Sequence, residues 1–341
     1  MPAPELHFTD ILDADWQTFL AGRPDANIFH HPAWSQLLQD AYNMRPFVIT
    51  LRDDKGDIMA GLPAMEMRRF LSGNRWVSLP FSDHCTPVSC CPLALSSLTE
   101  QLDAKSRAHE IPRLELRWSQ PQAAGEYVLT RLQLDSNPEN VCRRIHRMHQ
   151  RNIRRAQSHG LQIRHGTDQA DIQTFYQLHL QTRRRQGVPI QPYRYFELLC
   201  EKLIQKGLGF VSLAYDGEKC LAGAVFLHWQ QTLTYKYGAS IADGLDDRPN
   251  HLLFWDAIQW GCLNGFSELD FGRSDLVNTG LRVFKTRWGG IETPLSYSRF
   301  PSDVAHSTQP SRMMPVIQAV IRSAPVQICR LGGEFYYRLF A

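Results

Sequence analysis

The sequence predicts an α+β chain of two tandem, similarly built domains with mixed, largely antiparallel sheets, followed by a C-terminal helical tail. Three observations carry this. The chain has 341 residues, enough for two domains that each bury a core of their own. Helix-period and strand-period segments alternate along its whole length. The order strand, helices, antiparallel hairpin or meander, helix, strand occurs twice, on either side of residue 140. The expected layout is one domain over 1–140, a second over 141–300, and a basic amphipathic tail over 301–341.

In the first half, Asp15–Leu20 and His31–Tyr42 read as helices, the second opened by Pro32 in a first-turn position where its missing N–H costs nothing. PFVITLRDDKGDIMAGLPAME reads as two strands around an Asp-Lys-Gly-Asp turn. RWVSLP, a helix near Ser97–His109, and the strands RLELRW and YVLTRLQL follow. The acid-free stretch after Val141 predicts one long basic helix ending at Gly160. In the second half LQIRH reads as a strand, and Ala170–Gln186 and Tyr193–Lys206 as helices. Residues 209–240 read as three strands with turns at Asp216-Gly217 and near Gln230-Gln231. Asn250 is placed as the cap of a helix whose Phe254, Trp255, Ile258 and Cys262 share an apolar face, ended by Gly265. SELDFG, a short helix over Leu281–Arg287, and the strand TPLSYSRF complete the pattern.

Composition excludes several classes. With 43% hydrophobic and 21% charged residues the chain is neither disordered nor fibrous. The N-terminal MPAPELHFTD has no secretory apolar core, and no apolar run reaches the length of a membrane span. The eight cysteines (85, 90, 91, 142, 200, 220, 262 and 329) form no C-x-x-C pair. Free thiols in a reducing compartment, and hence a cytoplasmic location, are expected. The net charge is only +3, but it is unevenly placed. Residues 143–165 hold seven arginines and no acid, and the tail from Arg312 to Ala341 holds four arginines and one glutamate. Such asymmetry points to anionic partners rather than to fold.

No nucleophile elbow, phosphate-binding P-loop or metal-ligand spacing is present, so no metal site is expected. His30-His31 and the pair His146 and His149 are ligands only on paper; the second pair lies among arginines and is expected on a solvated helix face. Asp83-His84-Cys85 invites a nucleophile and base, but sequence neighbours rarely reach that geometry, and a turn or cleft wall is the better expectation.

The segment from Tyr235 to Gly289 is the most informative. It contains Tyr-Lys-Tyr-Gly-Ala-Ser (235–240), Pro249-Asn250 opening an apolar helix, Asp-Phe-Gly-Arg-Ser (270–274), and Phe284-Lys285 followed by Trp288-Gly289. This order resembles the second domain of Fem-like transferases, the peptidoglycan-bridge aminoacyl transferases and their exopolysaccharide-associated relatives in the GNAT acyltransferase superfamily. HHPAWSQLL (30–38) is similar to that family's N-terminal helix entry, and RNIRRAQSHGLQIR (151–164) to its interdomain basic helix and strand. The resemblance covers nearly the whole chain and is most specific in the second half. It implies two tandem GNAT-like (acyl-CoA N-acyltransferase) domains and transfer of an acyl or aminoacyl group to an amine of a cell-envelope or exopolysaccharide precursor.

The resemblance also implies roles. Lys285 would hold a developing oxyanion, with Phe284 shaping the pocket; a surface lysine beside a core phenylalanine is the bland alternative. Arg273 would bind a phosphate or carboxylate through its planar fork, or pair with Asp270 or Asp275. Tyr237, Arg248 and Asn250 flank the expected cleft, and Asp270 is read as pointing into the sheet. The region DGLDDRPNH lacks the glycine loop that binds the pyrophosphate of acetyl-CoA, which moves the expected donor toward aminoacyl-tRNA or another acyl thioester. The donor would be a co-substrate, with no cofactor tightly bound. Arg151, Arg154 and Arg155 would meet tRNA phosphates, a nucleotide-sugar pyrophosphate or lipid head groups; a solvated helix is the alternative. Arg183-Arg184-Arg185 extends that patch or simply ends a helix. Acceptors expected from the resemblance are small-molecule or lipid-linked saccharide precursors. Residues 312–341, with Phe335, Tyr336, Tyr337 and Phe340 among arginines, resemble an interfacial anchor on the inner face of the membrane; docking on the protein's own surface stays equally open. A non-catalytic tRNA-, nucleotide-sugar- or lipid-binding protein on a degenerate transferase scaffold is the competing function.

Overall fold

A computed structural model of the chain describes residues 4–67, 74–118, 125–302, 314–325, 329–330, 332–333 and 337. These divide into two compact units: residues up to Leu129 with those from Thr293 to 302, and Thr130 to Glu292 with the described residues beyond Met314. The division falls within the strands β7 and β13 defined below.

The first unit contains β1 (Glu5–Thr9), α1 (Ala14–Ala21), α2 (Pro32–Tyr42), β2 (Arg45–Arg52), β3 (Ile58–Met67), β4 (Arg75–Ser78), β5 (Val88–Ser89), α3 (Pro92–Arg107) and β6 (Arg113–Leu116). Pro32 does open α2, and His31 caps it by accepting from the Ala33 amide at 3.2 Å. The sheet runs β1-β2-β3-β4-β6-β14, with β5 on β3 and β14 (Ser298–Phe300) at the far edge. Only β4 and β6 pair in parallel among the described ladders of this sheet. Its core joins Ile49, Leu62 and Leu114 to Leu98 and Leu102 of α3. Trp16 of α1 lies so close to β3 that a Cβ on Gly61 would meet the indole at 2.8 Å, which explains the glycine there.

The second unit contains β7 (Tyr127–Gln133), α4 (Pro138–Arg144), α5 (Arg147–Ser158), β8 (Gln162–Gly166), α6 (Gln169–Gln186), α7 (Tyr193–Lys202), β9 (Gly209–Asp216), β10 (Lys219–Trp229), β11 (Thr232–Ser240), α8 (Pro249–Leu263), β12 (Glu268–Asp275), α9 (Thr279–Thr286) and β13 (Ile291–Leu295). Its sheet runs β13-β7-β12-β11-β10-β9-β8; β8 to β11 are antiparallel, and β11 pairs with β12 in parallel. The expectation of α+β architecture with two mixed, largely antiparallel sheets is borne out. Helices α6 and α7 pack together, with α6 on β10 and β11, while α8 packs on β9, β10 and α5. Phe226, Phe254, Phe271 and Trp288 fill the core under α8.

Several expectations are corrected. The long basic helix is two helices, because Ile145 is buried in extended conformation and the His146 amide donates to the Arg287 carbonyl at 2.8 Å. That bond ties the chain to the end of α9 just where a continuous helix would pass. The strand TPLSYSRF is divided between β13 and β14, which belong to different sheets. Helix α7 stops at Lys202 and a 3₁₀ turn covers Ile204–Lys206. The residue before α8 is Arg248 in left-handed conformation (φ 60°), with Pro249 opening the helix, so Asn250 lies inside the first turn and is not the cap. β1 and β5 are strands that the sequence pattern missed.

In the tail, α10 (Met314–Ser323) packs on α6, and the Arg322 guanidinium donates to the Gln186 carbonyl at 3.4 Å. Phe335, Tyr336 and Phe340, on which the anchor expectation rests, lie outside the described residues. Among the described residues no helix is long and apolar enough to cross a membrane.

Two measurements test this packing. Trp288 is fully buried, so Trp288→Ala is expected to cost about 3–5 kcal/mol in urea unfolding. Burial pushes His30 down to about 4 and His179 down to about 3, so both stay neutral in the folded chain at pH 7. Below pH 6.5 the unfolded chain takes up protons that the folded chain refuses, so their stabilisation is complete above that pH and is lost as pH falls toward 4 and then 3. The unfolding free energy measured in urea is expected to drop across this window, by up to about 1.4 kcal/mol per pH unit per histidine, and His179→Phe to flatten the drop.

Candidate functional site

The site grows from a defect in the second sheet. The parallel ladder between β11 and β12 pairs Thr232, Leu233 and Thr234 with Glu268, Leu269 and Asp270. Among the described residues it ends there, while β11 runs on to Ser240 and β12 to Asp275. The cause lies on the other side of β11. Its register on β10 shifts between Val225↔Tyr237 and Phe226↔Tyr235, leaving Lys236 as the extra residue of a bulge. A bulge bends its strand and raises the local twist, which carries β11 away from β12. It also puts Tyr235 and Tyr237, which would otherwise share a face, on opposite sides. Tyr235 packs on Phe254 of α8, and Tyr237 on Phe196 of α7 and His179 of α6.

Parting two strands strips backbone groups of their partners, and buried ones must be satisfied another way. On β12 two side chains do this. The Asp270 carboxylate accepts from the Gly272 amide at 2.7 Å, and the Lys285 ammonium donates to the Gly272 carbonyl at 2.9 Å and the Arg273 carbonyl at 3.0 Å. Gly272 turns at φ +71°, a conformation that favours glycine. Asp270 therefore points into the sheet, as its position in the sequence led us to expect, and it is 1% exposed. Lys285 is 3% exposed, so the reading as a surface lysine is excluded. A buried ammonium held by carbonyl oxygens is a fixed positive charge beside the opening of the sheet.

Phe284 packs in an aromatic cluster with Phe254 and His251 of α8, His149 of α5 and Trp288. The His149 ring donates from Nε2 to the Phe284 carbonyl at 3.0 Å, and Asn152 donates to His251 Nε2 at 3.1 Å. Burial lowers the pKa of both histidines, His251 to about 3, with the neighbouring His149 and Arg248 adding to its shift. His149 is 2% exposed, which corrects the expectation of a solvated face; His146 is exposed and caps α5 through the Met148 amide. Sequence reasoning missed His149 and His251. The signal was available for the first: His149, Ile153 and Ala156 follow helical spacing and form the buried face of α5.

The remaining candidates separate into four groups. Arg248 and Asn250 stand at the N-terminus of α8, where Arg248 Nε–H has no hydrogen-bond partner among the described residues. Arg273 lies half-buried on β12, its carbonyl held by Lys285. The Tyr237 hydroxyl bonds to the Tyr195 hydroxyl at 3.0 Å and accepts from the Gln191 amide at 3.1 Å, on the α6–α7 side. Arg151, Arg154 and Arg155 are exposed on α5 and form no ion pair among the described residues. Thus Lys285, Phe284 and Arg273 are brought together and adjoin the α8 terminus through His251, whereas Tyr237 and the α5 arginines lie on other faces. Arg183 and Arg185 are spent on backbone carbonyls of Pro189 and Ser240, which favours the helix-end reading over an extended basic patch.

The other paired residues are structural. His30 donates to the Thr86 carbonyl, and burial pushes the Cys85 thiol up to about 12, so Cys85 offers no thiolate for nucleophilic attack. Among the described residues no three His, Cys, Asp or Glu side chains converge as a metal site.

An acetyltransferase (GNAT) domain model matches residues 143–285, a stretch that runs from the start of the arginine-rich segment to Lys285. No curated protein matches the chain by sequence. Among solved structures, FemX superposes with a TM-score of 0.68 at 14% identity, covering 87% of this chain and 97% of its own. L-PGS from Bacillus licheniformis gives 0.53 at 11% identity, covering 93% and 99%. A tandem GNAT protein from the clavulanic acid biosynthesis pathway gives 0.50 at 10% identity, covering 89% and 100%. At these identities the likeness is one of fold. The chain therefore matches an acetyltransferase (GNAT) domain over residues 143–285 and shares its fold with FemX and with a tandem GNAT protein, as the resemblance of its motifs implies.

Proposed function

We propose that the chain is an N-acyl or aminoacyl transferase acting on an amine of a cell-envelope or exopolysaccharide precursor. The observation that supports this most is the opening between β11 and β12 with the buried Lys285 ammonium fixed at its edge. In this reading the donor, an aminoacyl-tRNA or an acyl thioester, lays its carbonyl in the opening. The acceptor amine attacks that carbon, and the oxyanion forms beside Lys285, a charge already in place before the reaction. Collapse makes the amide, breaks the ester or thioester bond, and leaves the amine's proton on the departing oxygen or sulfur. Phe284 walls the pocket, and Arg273 takes an anionic group of either substrate through its planar fork.

Arg248 at the α8 terminus suits donor phosphates, with Asn250 in the same turn. Asp246 and Asp247 precede them, and this acidic stretch disfavours a bare pyrophosphate. The exposed arginines 151, 154 and 155 suit the phosphates of a tRNA or a nucleotide sugar. Tyr237, bonded to Tyr195 and Gln191, would orient a polar acceptor. The protein would work in the cytoplasm, on small-molecule or lipid-linked saccharide precursors, with peripheral contact through residues 312–341. A second reading, a non-catalytic binder of tRNA, nucleotide sugar or lipid, is favoured by one observation: the Lys285 ammonium already serves two backbone carbonyls, a role that needs no reaction.

Filter binding with charged tRNA, beside thermal-shift screening of acyl thioesters and nucleotide sugars, identifies the donor. With that donor, Lys285→Met is expected to lower turnover by about 10²- to 10³-fold while donor affinity and the folded far-UV spectrum persist. Donor binding by the native chain with no amide product across amine acceptors would establish the second reading instead.

A further inference from the structure

Helix α9 packs Phe284 on the core but leaves two other apolar side chains in water. Lys285 is its one buried residue, whereas Leu281 is 38% and Val283 43% exposed. The same region exposes Leu276 (42%), Val277 (89%) and Ile291 (69%). These side chains do not ride on a loose loop. The Arg282 guanidinium donates to the Leu276 carbonyl at 3.0 Å and to the Glu292 carboxylate at 2.7 and 3.0 Å, tying the loop before α9, the helix and the start of β13 together. A held cluster of apolar groups facing water is the mark of a surface that meets something apolar.

What it meets is indicated by the charges beside it. The α4–α5 junction abuts the end of α9: the His146 amide bonds the Arg287 carbonyl at 2.8 Å, and the Arg287 guanidinium reaches Met148 Sδ at 3.2 Å. Arg143 and Arg147 at that junction are exposed, and none of the residues from 143 to 165 is acidic. Apolar side chains flanked by uncompensated arginines complement acyl chains beneath anionic head groups. A second copy of this chain meeting the same face would set arginine against arginine.

We propose that the surface around α9 formed by Leu276, Val277, Val283 and Ile291, with Arg143 and Arg147 at its border, docks on an anionic lipid bilayer. The surface lies beside Lys285 and would hold that site at the membrane. It is separate from the tail, and the full chain is used in every arm of the test.

The test is flotation with phosphatidylglycerol-containing vesicles and with vesicles of phosphatidylcholine alone. The native chain is expected to float with the anionic vesicles only and to be released at high salt. Val277→Glu with Ile291→Glu, and separately Arg143→Glu with Arg147→Glu, are expected to lower the partition coefficient at least about tenfold. Leu93→Glu, at an equally exposed leucine of the first unit (81%), is expected to leave it unchanged. Val277→Glu alone is read if the double substitution lowers the unfolding midpoint. The proposal is overturned if the native chain does not float, or if the Val277 variants float as well as it does. It is also overturned if light scattering shows a dimer that Val277→Glu disperses.

Discussion

The ammonium of Lys285 on the carbonyls of Gly272 and Arg273 is the contact on which the second unit's candidate site depends. The bulge at Lys236 turns β11 away from β12, and a parted sheet is stable only if its stranded backbone groups find partners. Asp270 supplies an acceptor for one amide and Lys285 supplies donors for two carbonyls. The lysine thereby anchors α9, which has little apolar burial of its own, and it leaves a positive charge where β11 and β12 part. Structure and chemistry are served by the same bond. For that reason activity alone cannot separate the two roles, and a donor-binding measurement is needed beside turnover.

Much of the architecture was legible in the sequence because burial there has a simple period. α2, α6 and α8 carry apolar residues at helical spacing, and β9 to β11 alternate or run apolar between glycine turns. What could not be read was decided by contacts distant in sequence. The break between α4 and α5 has no proline or glycine; it exists because His146 bonds to Arg287. The division of TPLSYSRF into β13 and β14 depends on which sheet edge is vacant, and β1 is a short half-exposed strand whose partner, β2, begins thirty-six residues after it ends.

The candidate site was legible in part and for a different reason. Its residues stand in motifs, so resemblance drew attention to 270–274 and 284–289 where periodicity could not. The buried state of Lys285 was invisible, since a lysine after a phenylalanine in a short polar helix reads as solvent-facing. His149 was misjudged because seven nearby arginines dominate the reading of that helix, although its own position follows Ile153 and Ala156. Arg248 could be named but not its left-handed backbone, which displaced Asn250 from the cap.

The seating of α5 has a consequence for how this segment can change. His149, Ile153 and Ala156 are its buried stripe, and the arginines at 147, 151, 154 and 155 stand on the opposite side. A helix turns by about 100° per residue, so one residue deleted between positions 149 and 153 would bring Arg154 into the buried place of Ile153, and one inserted would bring Arg155 into that of Ala156. Exchange of one cation for another on the outer circumference disturbs nothing packed. The segment is thus free in composition and rigid in phase: its length is held by a histidine that faces inward, and its charge is left adjustable to whatever anion it meets.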